Sequence, residues 1–222
     1  MNYEEWRKFY QKILGDFGFS EESDVKAAEI LNELLEPASI DILKKKIHGR
    51  RVNVYGAGPS LKEIKKFPRG VSMAADGATS FLLGRSVVPD IIVTDLDGKV
   101  EDLLKANKKG SLVVVHAHGD NIDAIKKYAA KFKSAVGTAQ SKPFGSLHNF
   151  GGFTDGDRAV FLAEHFKAKK IALYGMDFRG EIGRYSFSRD SEIKRKKLLW
   201  AEKLINYLRQ RGRVEITWLK SS

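Results

Sequence analysis

From Arg51 onward, short apolar runs alternate with amphipathic stretches, and this alternation limits the fold more than any other feature of the chain. RVNVYG, VSMAAD, DIIVTD, SLVVVHA, SAVGTA, KIALYGM and VEITWL read as strands. SLKEIKKF, ATSFLLGRS, VEDLLKANKK, NIDAIKKYAAKF, TDGDRAVFLAEHFK and the charged stretch ending at Arg211 read as the helices between them, with Gly110 as a C′ glycine. Strands separated by helices form βαβ units. The expectation is an α/β fold: a mostly parallel, Rossmann-like sheet with helices on both faces.

Ahead of this lies an N-terminal helical segment, residues 1–48, expected to pack beside an α/β domain over 49–222. Trp6, Phe9, Tyr10, Ile13 and Leu14 recur at helical spacing, as do Val25, Ala28, Ile30, Leu31, Leu34 and Leu35. Pro37 ends the second helix, and SIDILKKKI starts a third. The opening MNYEEWRKFYQ carries acids and has no apolar h-region, so no signal peptide is expected. No apolar run is long enough to cross a bilayer, and a cytoplasmic location follows as the default.

The chain has 222 residues and no cysteine, which excludes a disulfide, a Cys-ligated metal and a thiol nucleophile. The net charge of +11 raises a nucleic-acid reading. The lysines, however, fall as scattered pairs (65–66, 108–109, 126–127, 169–170) and short runs (44–46, 194–197), mostly on helices opposite apolar positions. Nucleic-acid binding needs a clustered stripe, so solvated faces are the stronger reading, with steering of anionic substrates as a third. Homo-oligomer formation stays open.

In an open parallel sheet, ligands bind beyond the carboxyl ends of the strands. The strand exits here are Gly56-Ala57-Gly58-Pro59-Ser60, Asp76-Gly77, Asp95-Leu96-Asp97-Gly98, His116 to Asn121, Thr138-Ala139-Gln140 and Gly175-Met176-Asp177. Side chains two apart on an extended backbone share a side, so Asp95 and Asp97 would present two carboxylates to one point. Alone they would repel; a hard divalent cation such as Mg²⁺ removes that cost. The alternative is that one aspartate caps the next helix. D-x-D at a strand exit also suits a nucleotide-sugar glycosyltransferase.

The other exits leave alternatives open. GAGPSL lacks the third glycine of a dinucleotide fingerprint, because Leu61 stands in its place. Ser60 then marks either an anion site or an ordinary cap. His116 and His118 either contact phosphate or ring edges or pack on the sheet. Asp120 is expected near the metal, or else Asp120 or Asn121 caps the next helix. Gly151 and Gly152 allow close backbone approach. Arg158 suits phosphate, or simply pairs with Asp155 one turn away.

GAGPSL, ADGA, PDIIVTDLDG, VVHAHGDN, GTAQ, GGFTDGDRA, YGMDF and the closing K-x-x-KLLWAEKLI together resemble the archaeal 6-hydroxymethyl-7,8-dihydropterin pyrophosphokinase family, over about Val52 to Leu204. The pattern is more distantly similar to the catalytic domain of thiamin pyrophosphokinases. HAHGDN and the absence of a C-terminal thiamin-binding sandwich argue against thiamin as substrate. The resemblance implies diphosphoryl transfer from ATP to a pterin hydroxymethyl group, releasing AMP. It implies Mg²⁺ on Asp95, Asp97 and Asp120, with Thr154 and Asp155 gathering metal and nucleotide. Gly56, Gly58, Ser60, Arg158 and Lys197 would neutralise phosphate, although Lys194 and Lys197 fit a solvated helix face equally. For the pterin it implies Asp76 or Asp177 on the pyrimidine edge, with Asn121, Gln140, Gly151, Gly152 and Phe153 around it. Phe150 and Phe153 would stack on the ring or simply pack in the core, and His116 or His118 stands as the base.

Overall fold

A computed structural model describes residues 1–179 and 191–218. Residues 180–190, which open the charged stretch, and Leu219 lie outside the described residues. The strands are β1 (Arg51–Tyr55), β2 (Val71–Ala75), β3 (Ile91–Thr94), β4 (Leu112–Ala117), β5 (Ala135–Ala139), β6 (Lys170–Tyr174) and β7 (Glu215–Trp218). They form a seven-stranded sheet in the order β5-β4-β3-β2-β1-β6-β7, and its six pairings are all parallel. The expected Rossmann-like α/β fold is therefore present, with its switch point between β1 and β6, where successive connections leave in opposite directions.

The central strands are buried on both faces, which explains their near-continuous apolar sequences. Their pleat still divides the core. Val52, Val54, Val71, Met73, Ile91, Val93, Leu112 and Val114 face one layer with α7 (Asp155–His165) and α8 (Ser191–Arg211). Ile92, Val113 and Val115 face the opposite layer with α5 (Val100–Lys108) and α6 (Ile122–Tyr128). On that same side Tyr55 and Ala74 pack with α4 (Ala78–Gly84). The register Val54–Met73–Ile91–Leu112 keeps each layer in step across four strands.

Two helices expected from the sequence are shorter than their apolar periodicity suggests. SLKEIKKF yields only a 3₁₀ turn over Pro59–Glu63. Ile64 is already extended, and Phe67 precedes Pro68, which disfavours helix there. NIDAIKKYAAKF breaks into a 3₁₀ turn (Gly119–Asn121), α6 and a second 3₁₀ turn (Ala129–Lys131). Gly110 takes a positive φ of 104° just past α5, as a C′ glycine does.

The N-terminal helices are α1 (Tyr3–Phe17), α2 (Glu21–Leu34) and α3 (Asp41–Ile47). A capping box between Asn2 and Glu5 starts α1, and Gly18, at φ 67°, ends it. Trp6, Tyr10, Ile13 and Leu14 of α1 bury into the α7/α8 layer, while Ala27, Ala28 and Leu31 of α2 bury into the other. Ala38 N–H donates to Ala135 O at 2.7 Å and so ties this segment to the β5 edge. Among the described residues no helix is long and apolar enough to cross a membrane.

Candidate active site

The carboxyl ends of the strands open into a cleft of about 1010 Å³ of empty space. Asp76, Asp95, Asp97 and Asp155 converge there: one carboxylate oxygen from each lies within 4.8 Å of the others. Asp76 follows β2, Asp95 and Asp97 follow β3, and Asp155 opens α7. The expected trio of Asp95, Asp97 and Asp120 is not assembled. Asp120 is exposed outside the cleft, because the 3₁₀ turn Gly119–Asn121 directs Asn121 inward instead.

Asp95 and Asp97 meet the cluster by a route the pleat argument did not foresee. The strand stops at Thr94, and buried Leu96 adopts a left-handed φ of 67°. That conformation is uncommon for a bulky side chain and costs on the order of 1–3 kcal/mol. Thr94 Oγ1 accepts from Leu96 N–H at 2.9 Å, and Asp95 Oδ1 accepts from Asp97 N–H at 3.3 Å. A local turn, rather than two extended residues, brings the carboxylates together. Gly98 is explained sterically: a Cβ there would stand 2.0 Å from Asp76 Oδ2, so only glycine lets Asp76 reach in.

The cluster divides into unlike acids. Burial, then the Asp95 charge, raises Asp76 to about 6. Burial likewise raises Asp155 well above the usual range, with Asp95 adding to it. Asp97 is pushed up by desolvation in the cleft and by Asp95, Asp76 and Asp155, though its outer side is open to solvent. Asp95 goes the other way. Burial pushes it up, but the hydrogen bond and charge of His118, with Arg158 and Lys197 nearby, hold it below the usual range. Four oxygen donors in a mutually repelling set match what a hard divalent cation takes.

His118 is spoken for at both nitrogens. Nδ1 lies 3.3 Å from Asp120 N, and Nε2 lies 3.2 Å from Asp95 Oδ2. His116 lies deeper, 2% exposed, with Nδ1 3.0 Å from Thr138 Oγ1. It lines a smaller cavity behind the cleft together with Gly151, Gly152 and buried Phe150. Asn121 stands at the N-cap position of α6 with no side-chain bond into that helix; its Oδ1 instead accepts from His118 N–H at 3.0 Å, closing the capping box of the 3₁₀ turn. Its Nδ2 donates to Asp95 O and His116 O, each at 2.7 Å, which fixes the β3 and β4 exits relative to each other.

Arg158 is buried and forms part of the wall between the two cavities. Its Nη1 donates to Asp155 Oδ1 at 3.3 Å and its Nη2 to Gln140 Oε1 at 3.4 Å. Gln140 Nε2 donates to Asp24 Oδ2 at 2.8 Å, and Gln140 O accepts from Trp6 Nε1 at 2.8 Å. Asp24 Oδ2 also accepts from Tyr10 OH at 2.6 Å, and its Oδ1 accepts from Gly119 N–H at 2.7 Å. The N-terminal helices thus hold the β4 and β5 exits. Asp24 and Trp6 carry no local signal of this task in the sequence: both read as ordinary helix positions.

The remaining expected residues divide between the two ends of the cleft. Thr154 caps α7, its N–H and hydroxyl both donating to Asp157 Oδ1. Lys194 and Lys197 of α8 line the cleft opposite the acids. Ser60 and Asp177 pair with each other: Ser60 N–H donates to Asp177 Oδ2 at 2.8 Å, and its hydroxyl to Oδ1 at 2.8 Å. A carboxylate therefore fills the position expected to hold an anion. Gly56 and Gly58 have a packing reason, since a Cβ would come within 2.5 Å of Met176 Sδ or 2.4 Å of Asp177 Oδ2. Phe153 lines the cleft, as do Phe19 and Phe178, neither of which sequence reasoning singled out.

Fold and site together define a doubly wound α/β protein whose strand-exit crevice combines an acidic cluster with facing lysines and a buried arginine. The chain belongs to the MptE-like family, described as "6-hydroxymethylpterin diphosphokinase MptE-like", which matches residues 26–182. A Methanocaldococcus jannaschii relative named 6-hydroxymethyl-7,8-dihydropterin pyrophosphokinase is 49% identical over 243 residues, spanning 99% of this chain and 100% of that one. A relative of the same name from Pyrococcus furiosus is 45% identical over 97% of this chain and 98% of its own length. Among solved structures, the sialyltransferase CstII with CMP aligns at a TM-score of 0.49 and 14% identity, covering 77% of this chain and 81% of that one. A likeness at that level carries no argument about function.

Proposed function

We propose that this protein is a 6-hydroxymethyl-7,8-dihydropterin pyrophosphokinase that works with Mg²⁺ held by Asp76, Asp95, Asp97 and Asp155. The pterin's hydroxymethyl oxygen forms a bond to the β-phosphorus of ATP. The bond from that phosphorus to the oxygen bridging it to the α-phosphate breaks, AMP leaves, and the hydroxyl proton goes to solvent. The observation that carries this reading is the convergence of four carboxylates within 4.8 Å, in a chain 45–49% identical over nearly its whole length to relatives of that name. The same relatives favour this reading over a D-x-D glycosyltransferase.

Phosphoryl-type transfer depends on positioning and charge stabilisation. When bound, the cation would neutralise phosphate oxygens and orient the chain for in-line attack. Arg158, with a buried Nε that has no partner, offers a planar donor fork to the phosphates. Lys194 and Lys197 add charge from α8. His118 has a contact at each ring nitrogen, Asp95 Oδ2 at Nε2 and Asp120 N at Nδ1, so it serves to orient Asp95 rather than as the base. His116 lies behind the cleft, in the smaller cavity, and so away from the acceptor. Asp76 and Asp177 are less free for the pterin edge than expected, because one joins the acidic cluster and the other binds Ser60. A cytoplasmic location suits such a biosynthetic enzyme.

The test is to incubate the protein with Mg-ATP and reduced hydroxymethylpterin and to quantify products by chromatography. AMP and pterin diphosphate should form in equal amounts and only when both substrates and Mg²⁺ are present. ADP in place of AMP would overturn diphosphoryl transfer.

A further inference from the structure

The acidic cluster sits in the middle of the cleft and divides it. On one side lie the exits of β1 and β6, with Gly56, Gly58, Met176 and Phe178. On the other lie the exits of β4 and β5, with His118, Gln140, Phe153 and, from the N-terminal segment, Phe19. The reaction brings two flat heteroaromatic rings to this one cleft, so each half must receive one. Topology assigns the nucleotide: in doubly wound sheets it lies at the switch point, here between β1 and β6.

We infer that the acceptor's ring binds in the other half, on an aromatic wall to which Phe19 of the N-terminal segment contributes the more accessible ring. This rests on the diphosphokinase reading above. Phe153 is buried, whereas Phe19 is only half-buried and faces the cleft. Phe17 backs both, its centroid 5.2 Å from each ring. Phe17 stacks on Phe19 at 16°, while Phe19 and Phe153 lie 6.5 Å apart at 49°, tilted toward each other rather than stacked, so the two rings line the cleft at an angle. The turn Phe17-Gly18-Phe19 is held by the αL cap of α1, with Phe19 N–H donating to Leu14 O at 3.1 Å. The wall is therefore built before ligand arrives.

Lys197 links this wall to the chemistry. Its ammonium stands over the rings of both Phe19 and Phe153, 5.5 and 5.9 Å from their centroids, and it lines the same cleft as the acidic cluster. A ring lying on Phe19 would carry its hydroxymethyl arm toward the cluster past this lysine, which then meets the transferred diphosphate. Phe19 touches the ring alone and has no role at the phosphates. The 1–48 segment becomes part of the acceptor's specificity as well as part of the core.

Steady-state kinetics of Phe19→Ala and Phe19→Leu test this. Wild type must first form AMP with the pterin; if it does not, the diphosphokinase reading itself fails. With wild type active, Phe19→Ala should raise the KM for the reduced pterin at least tenfold and leave the KM for ATP within twofold. Phe19→Leu, which keeps bulk but removes the π face, should show most of that rise with an unchanged melting temperature. A rise in the KM for ATP instead would place adenine on this wall, and unchanged values for both substrates would remove Phe19 from binding; either overturns the inference.

Discussion

Asp24 and Gln140 stand 116 residues apart in the chain and meet at 2.8 Å in the protein interior. The contact lets a helix outside the sheet set the position of a strand-exit side chain, which in turn accepts from Arg158. Gln140 cannot turn its amide over without facing its oxygen to Asp24 and its NH₂ to the guanidinium.

Asp24→Asn should therefore cost more than an ordinary polar change. The carboxylate accepts from Tyr10, Gly119 and Gln140, and an amide would point its NH₂ at one of those donors. Hydrogen bonds to a buried charged group are worth about 1.5–3 kcal/mol, so a loss of that size is expected in urea unfolding. Turnover should fall with it, since Arg158 loses its orienting partner. An unchanged urea midpoint would refute the network.

Asp97→Asn and Asp95→Asn should part company. Asp97 is surrounded by like charge, so neutralising it should raise the melting temperature of the metal-free protein. Asp95 is matched by His118, Arg158 and Lys197, so its loss should lower that temperature. Both variants should lose at least a hundredfold in turnover and the thermal upshift given by Mg²⁺. Scanning fluorimetry with and without the cation separates the two effects; equal behaviour in the metal-free state would contradict the charge assignment.

Asp76 gives a pH signature. Its pKa in the folded chain is about 6 against 3.8 for the ordinary group, so the folded state holds the proton more tightly. The resulting stabilisation is full below pH 3.8 and is lost as pH rises through about 6. Other carboxylates titrate nearby, so the readout is the difference between Asp76→Asn and wild type. The variant should gain relative stability steadily between those two pH values and hold it above. Mg²⁺ must displace that proton, so its affinity in wild type should rise over the same window. A pH-independent difference would argue against a raised Asp76.

Gly98→Ala asks the site a purely steric question. The new methyl would stand 2.0 Å from Asp76 Oδ2, which must swing away and give up its 2.5 Å bond from Thr94 Oγ1. At least a tenfold loss of turnover and a weaker Mg²⁺-induced thermal shift are expected. Far-ultraviolet circular dichroism should stay as in wild type. Full activity would mean that Asp76 is not needed in the cluster.

The sheet was legible in the sequence because its central strands are apolar on both faces, and the strand ends were legible because polar residues gather there. Asp95 and Asp97 stood out for that reason, although the turn at Leu96 that joins them has no sequence signature: a leucine gives no hint of a left-handed φ. Asp120 was misplaced because adjacent residues of a 3₁₀ turn face different ways, and the sequence does not say which of Asp120 and Asn121 turns inward. Ser60 and Asp177 each looked like ligand groups, yet each satisfies the other across two loops, a pairing set by strand order. Phe19 was invisible because nothing near Gly18 in sequence reveals that the α1–α2 turn lies over the β4 and β5 exits.

The first and last helices of this chain touch: Trp200 Nε1 of α8 donates to Asp16 Oδ2 at the end of α1, and Phe9 packs edge-on against Tyr207 at 4.8 Å. On a ribosome, synthesis is vectorial, and the four aspartates all emerge before any of α8. Until Lys194 and Lys197 follow, the nascent cleft carries its negative charge without those counterparts, and α1 lacks the neighbour that covers its flank. The cleft is thus completed only once α8 has been made and has packed against α1.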